Sequence, residues 1–314
     1  MNRPSIITVT LNPALDHTLS LEEFQPGQLN RVAEARLDPG GKGINVTSVV
    51  HALGEPVLAT GFLGQANAEP FLKLFQERAI EHDFIALPGE NRTNIKLVEH
   101  ATQRVSELNC PGISPTQQHL ALLLAKLKDL AAPNVWLVLS GSLPASLPSD
   151  SYAKLIEALK PSGCRILLDS SGDSLKLGLK SHPYAAKPNL PELCQLTGRA
   201  AADKSSWLAA IDQLLASGLT LAGLSLGAQG ALLATQKEAW FAPALSIPVA
   251  STVGAGDAFV AGLTVAQSRG QSLGDSLALA TAAAAAAVAM PGTQPGSYQA
   301  VQTLLAKIKL EQWR

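Results

Sequence analysis

Short runs of β-branched and apolar residues alternate along this chain with amphipathic stretches of helical length, which predicts a mostly parallel β-sheet covered by helices. Strands are expected at Ile6–Leu11, Val57–Leu63, Val135–Ser140, Arg165–Asp169, Ala185–Lys187 and Leu221–Leu226. Helices are expected at Ile44–Leu53, Pro70–Ala79, Pro115–Leu130, Ser149–Leu159, Lys204–Ser217, Asp257–Arg269 and Leu273–Met290. Two regions break the alternation. Thr18–Leu37 has no long helical period, and Asn94–Glu99 with Arg104–Leu108 reads as a hairpin around His100-Ala101-Thr102-Gln103. Together they predict a small β-sheet standing off the body, either a flap over a cleft or a pair of surface hairpins without function. The alanine-rich run Leu277–Met290 comes nearest to a membrane span, but it is short and weakly hydrophobic, so a buried, closely packed helix is expected there.

Composition narrows the classes of partner. With 314 residues the chain can bury a large core, and its formal net charge of −1 gives no electrostatic reason to expect nucleic acid or an anionic membrane as a partner. Cys110, Cys164 and Cys194 are odd in number and form no CxxC pair, so neither a disulfide framework nor a structural zinc site is expected. The stretch MNRPSIITVTLNPALD lacks the apolar core of a signal peptide, and a reducing, cytoplasmic location is the expectation. The six histidines show no metal-ligand spacing and are assigned no chemistry.

The candidate chemistry lies in glycine-spaced turns. In Ser251-Thr252-Val253-Gly254-Ala255-Gly256-Asp257-Ala258-Phe259, glycines separated by one small residue let backbone N–H groups crowd an anion, and the following helix adds its dipole. A carboxylate beside such an anion site repels it unless it has a chemical role, so Asp257 is a candidate general base. An ordinary helix cap explains the same aspartate. In Pro39-Gly40-Gly41-Lys42-Gly43-Ile44-Asn45 the backbone can approach a ligand closely, yet the Walker spacing is absent. Asn45 beside Lys42 suits a polyhydroxylated ligand, and Asp16 after the first strand suits sugar hydroxyls or a turn cap. Arg92 can grip a phosphate bidentately, with Lys96 adding a point charge on the strand face it shares with Asn94; surface charge is the plainer alternative. Asn189 and Glu192 lie three apart in Lys187-Pro188-Asn189-Leu190-Pro191-Glu192, on one helical face where they hold a hydrated magnesium or merely cap the helix. Ser225-Leu226-Gly227-Ala228-Gln229-Gly230 supplies another tight turn.

With these segments in this order, together with Ser140-Gly141-Ser142-Leu143-Pro144 and Leu168-Asp169-Ser170-Ser171, the chain resembles the ribokinase superfamily from about Thr8 to about Thr293, and within it the phosphofructokinase B group of sugar-phosphate kinases. The resemblance implies a three-layer α/β/α ribokinase-like fold with a mostly parallel central sheet. It implies one kinase domain over 1–314, with a β-sheet lid formed by about 12–38 and 90–109 that serves as a clasp in a homodimer. It further implies ATP as co-substrate and Mg2+, and leaves a monovalent-cation requirement open. Gly61-Phe62-Leu63-Gly64 with Asn67 and Phe71, the Arg92–Leu97 strand, and Leu108-Asn109 before Pro111-Gly112 are similar to 1-phosphofructokinases, which phosphorylate D-fructose 1-phosphate at its 6-hydroxyl. Lys42 is shared with tagatose-6-phosphate kinases, and Ser142–Pro148 with Asp150 and Tyr152 has their flavour. The chain departs from the first group at Ala66, where an aspartate usually precedes the asparagine, and it has Gln28 where 6-phosphofructokinase relatives carry lysine.

Carried onto these positions, the resemblance makes Asp257 the base and the N–H groups of Gly254, Ala255 and Gly256 the cradle for the transferring phosphoryl group. An ordinary aspartate is already ionised at neutral pH, so no large pKa shift is required of it. Asp16, Gly41, Lys42, Asn45, Arg92 and Lys96 would hold the sugar phosphate. Lys187, Asn189, Ser225, Gly227, Gly230 and Thr252 would line the ATP site, with Asn189 and Glu192 organising magnesium through water. A nicotinamide-dependent dehydrogenase is disfavoured, because Gly254-x-Gly256 lacks the third glycine and lies far from the first strand. A non-catalytic sugar-phosphate sensor would not need Asp257.

Overall fold

The computed structural model describes residues 4–102 and 104–314; Gln103, in the expected hairpin turn, and residues 1–3 of the stretch read for a signal peptide lie outside them. In chain order the elements are β1 (Ile6–Thr10), β2 (Ala14–Leu21), β3 (Glu34–Gly40), α1 (Lys42–Ala52), β4 (Val57–Gly64), α2 (Glu69–Glu77), β5 (Glu81–Leu87), β6 (Arg92–Glu99), β7 (Arg104–Leu108), α3 (Gln117–Leu130), β8 (Trp136–Ser140) and α4 (Ser151–Leu159). They continue with β9 (Arg165–Asp169), α5 (Gly172–Lys180), β10 (Ala185–Ala186), α6 (Leu190–Thr197), α7 (Lys204–Ala216), β11 (Leu221–Ser225), β12 (Ala231–Ala234), β13 (Ala239–Ala242), α8 (Ala255–Ser268), α9 (Leu273–Val288), α10 (Tyr298–Leu305) and β14 (Glu311–Gln312).

The main sheet runs β14-β13-β12-β11-β10-β9-β8-β1-β4-β5 and is parallel from β11 to β5. Its inner strands are buried on both faces, and successive residues feed opposite cores because strand side chains alternate. Ile7 and Val9, Leu137 and Leu139, and Ile166 and Leu168 pack with α3, α4, α5 and α7, whereas Ile6, Trp136, Val138 and Leu167 pack with α1, α8 and α9. The result is the expected α/β/α sandwich. The alanine-rich segment is α9, whose small residues let it close on α8: a Cβ on Gly262 would stand 2.8 Å from Ala280 Cα. No helix among the described residues is long and apolar enough to cross a membrane.

The two irregular regions form a separate sheet, β3-β2-β6-β7. β2 pairs antiparallel with β3 and parallel with β6, starting at Ala14 opposite Arg92. Several elements carry no expectation from the sequence. β5 and β12–β14 are too short or too polar to show a period, and α5 and α10 owe their helicity to one buried stripe each, Leu175 and Leu179 in α5 and Val301 in α10.

Candidate active site

The carboxyl ends of neighbouring parallel strands line up Ser140 of β8, Asp169 of β9, Lys187 just after β10 and Ser225 of β11, the edge where open α/β sheets receive ligands. Ser140 and Asp169 are register partners, and Asn189 bridges to Ser225. Asp169, which the sequence reading gave no role, is the hub. Its carboxylate accepts from Ser140 Oγ at 3.0 Å, and it faces Lys42 Nζ at 3.3 Å and Lys187 Nζ at 3.6 Å. Burial opposes its charge, but the two lysines overcome burial and hold the carboxyl below the usual range. Asp169 in turn raises Lys42, which stays a cation.

Asp257 is the third residue of α8, not its cap; Gly254 is the N-cap, in the left-handed region at φ 82°. The first helical bond runs from Ala258 N–H to Gly254 O at 2.9 Å. The N–H groups of the first turn therefore lack α-helical acceptors, and only that of Ala255 makes a turn bond, 3.4 Å to Thr252 O. A Cβ on Gly256 would lie 3.7 Å from Lys187 Nζ, which puts a cation against the same turn. Asn45, in the first turn of α1, donates to Asp257 Oδ2 at 2.8 Å. Burial, with a smaller push from the Asp169 charge, raises Asp257 to about 6 against the pull of Lys42, a shift that the base role did not require.

At the other end stand residues of the second sheet. Arg92, Asn94 and Lys96 alternate on one face of β6. Lys96 is paired within the site: its Nζ donates to Asp16 Oδ2 at 2.7 Å, and Asn94 Nδ2 donates to Asp16 Oδ1 at 3.1 Å. Asp16, Asn94 and Lys96 are all buried. Because Asp16 can only accept, the amide of Asn94 is oriented, and its Oδ1 and Arg92 Nε are buried without partners among the described residues. Gly41 caps α1 at φ 103° and brings that helix against Pro13 and Ala14 beside Asp16.

On the remaining side, Asn189 and Glu192 form a capping box for α6: Asn189 Oδ1 accepts from Glu192 N–H and Glu192 Oε2 from Asn189 N–H, both at 2.9 Å. The Glu192 charge adds a smaller pull that helps keep Lys42 a cation. Ser225 Oγ lies 3.5 Å from Lys187 Nζ. Gly227 faces open space, whereas Gly230 at φ 118° is required by the chain itself, since a Cβ there would run into Ala242 and Pro243. Thr252 is exposed at the mouth of the turn. The residues missed by the sequence reading are Asp169, Ser140 and Asn94, and the signal for the first was an acidic residue closing an otherwise apolar strand, Ile166-Leu167-Leu168-Asp169.

A helix N-terminus ringed by lysines, with a raised carboxylate in its first turn and a second polar end under a small sheet, defines a phosphotransferase-type site on an α/β/α frame. The pfkB carbohydrate kinase family profile matches residues 9–300, and the chain belongs to that family. It is 42% identical over 264 residues, 83% of either chain, to the 1-phosphofructokinase of Xanthomonas campestris pv. campestris. It is 41% identical over 266 residues, 84% of either chain, to that of Rhodobacter capsulatus. The solved phosphofructokinase-2 of Escherichia coli in complex with potassium superposes with a TM-score of 0.90 at 27% identity, covering 97% of this chain and 99% of that one.

Proposed function

We propose that the protein transfers the γ-phosphoryl group of ATP to the 6-hydroxyl of D-fructose 1-phosphate, giving fructose 1,6-bisphosphate and ADP. Two relatives above 40% identity bear the name of this activity, and the site has the two ends the reaction needs. Asp257, held by Asn45, takes the proton of the attacking hydroxyl. With a pKa near 6 it is ionised at neutral pH yet basic enough to accept that proton. The first-turn N–H groups of α8 at Gly254, Ala255 and Gly256 receive the charge on the transferring oxygens, and Lys187 adds its ammonium beside them. Lys42, paired with Asp169 and also drawn on by the Asp257 charge, resists deprotonation. Ser225, Gly227 and Thr252 flank the nucleotide, while Gly230 shapes the turn that carries them.

Magnesium fits this donor set sparingly. Glu192 Oε2 and Asn189 Oδ1 are engaged in the capping box, which leaves Glu192 Oε1 to hold a metal-bound water, and a magnesium ion needs few protein ligands when phosphates supply the rest. Bound there, the ion would neutralise the phosphate charge that develops during transfer.

Arg92 takes the phosphate already on the sugar, while Asp16, Asn45 and the backbone at Gly41 read its hydroxyls; Lys96 acts through Asp16. The lid also serves as the homodimer interface. Phe24, Leu29, Val32, Leu37, Val105 and Leu108 are large apolar side chains exposed on this one small sheet and its loop, and the edge strand β7 is exposed throughout.

Fructose 1-phosphate, fructose 6-phosphate and tagatose 6-phosphate all place a phosphate and an acceptor hydroxyl at opposite ends of a sugar. Specificity constants for the three, measured side by side with ATP, test the reading. Preference for fructose 1-phosphate is expected; preference for a 6-phosphate would move the assignment within the family, and no turnover with any would point to a sensor.

A further inference from the structure

We propose that Asn91 and Asn67 are positioning residues that lock Arg92 to the main body, so that the sugar phosphate is gripped by a group that does not travel with the lid. The inference rests on Arg92 as the phosphate-binding residue. Asn91 lies in the connection between β5 and β6 and is 1% exposed. Its side chain mimics a paired strand residue: Oδ1 accepts from Gly64 N–H at 2.8 Å, and Nδ2 donates to Gly64 O at 3.0 Å. Asn67 completes the brace. Its Oδ1 accepts from Asn91 N–H and from Asn91 Nδ2, each at 2.8 Å, and its Nδ2 donates to Asn91 O at 3.0 Å. Gly64 closes β4 of the main sheet, so these bonds tie the residue before Arg92 to the body.

Steric closure supports the same conclusion. A Cβ on Gly64 would lie 2.7 Å from Asn91 N, and one on Gly112 would lie 2.7 Å from Arg92 N. Both backbones are therefore packed without slack around the root of β6. Beyond that root β6 and β7 are held by strand ladders within the small sheet, with β7 exposed along its length. Any pivot of the lid lies past Arg92. An arginine whose backbone is fixed in advance has less freedom to lose when it binds phosphate, so the brace acts on substrate affinity rather than on the chemical step.

Asn67→Ala tests this, because Asn67 is only partly buried and its loss leaves the Asn91–Gly64 bonds in place. In the variant, affinity for fructose 1-phosphate, measured by calorimetry without ATP and as KM, should fall roughly 10-fold or more, with the KM for ATP and kcat within about 2-fold of wild type. Asn67→Asp, which keeps an acceptor for Asn91 N–H, should recover part of the loss. On an Arg92→Ala background, Asn67→Ala should add less than about 2-fold, since the brace works through Arg92. A wild-type protein that neither binds nor turns over any sugar phosphate would overturn the functional reading itself. An active wild type whose Asn67→Ala variant keeps its sugar-phosphate affinity, loses kcat instead, or adds fully to Arg92→Ala would overturn the brace alone.

Discussion

The body end and the lid end of the site use the same residue types under different physics. At the body end Asp257 and Asp169 are buried beside the buried Lys187 and the half-exposed Lys42, and the lysines sit on Asp169, so one carboxylate is held down and the other pushed up to about 6. At the lid end Asp16 is satisfied directly by Lys96 and Asn94. The difference teaches which aspartate is poised for proton transfer: the one whose cations are committed elsewhere. The supports differ as well. Asp169 and Asp257 hang on elements buried on both sides, whereas Asp16 and Lys96 hang on a sheet whose outer face is exposed.

The largest effect is expected from Asp257→Asn, which should lower kcat by about 10²–10⁴-fold. The same change should raise stability at neutral pH by about 1–3 kcal/mol, because it removes a desolvated charge while still accepting from Asn45. In the wild type the folded state binds the Asp257 proton more tightly than the unfolded chain. Stability should therefore fall as pH rises from about 4 to about 6, a slope that the variant loses. Unchanged turnover would remove the base role, and a lower melting temperature would remove the desolvation account.

Next in size, Arg92→Ala should weaken sugar-phosphate binding roughly 10–100-fold while leaving the KM for ATP near its wild-type value. Equal loss for both substrates would erase the distinction between the two ends. The pH profile of kcat/KM sharpens the comparison further. Its acid limb should fall near pH 6, and Lys42→Met, by removing a charge that favours ionised Asp257, should move the limb to higher pH. A limb that stays put would mean Lys42 does not act on the base. The smallest effect on monomer stability, within about 0.5 kcal/mol, is expected from charges on the outer lid face, Val105→Lys with Leu108→Glu. Sedimentation is expected to show a dimer for the wild type and a monomer for this variant, and an intact dimer in the variant would place the interface elsewhere.

Much of the frame was legible because it depends on neighbours in sequence. Apolar strands, amphipathic helices and the glycine turns at Gly41 and Gly254 follow from side-chain period and backbone freedom. The separate sheet was visible as a break in helical period, although its strand order was not. The polar strand β5 and the very short strands β12–β14 gave no such signal, since their stability comes from the partners they meet.

The residue types of the site were therefore set by the sequence alone: an aspartate after a glycine turn, an arginine and a lysine four residues apart on one strand, an asparagine with a glutamate three residues on. Tertiary structure decided which charge stands beside which. Asn45 reaches Asp257 across 212 positions, Lys42 reaches Asp169 across 127, and Lys96 reaches Asp16 across 80. Desolvation and Coulomb interactions act through space, so the proton affinity of Asp257 and the fixed place of Arg92 exist only once the distant parts of the chain have met.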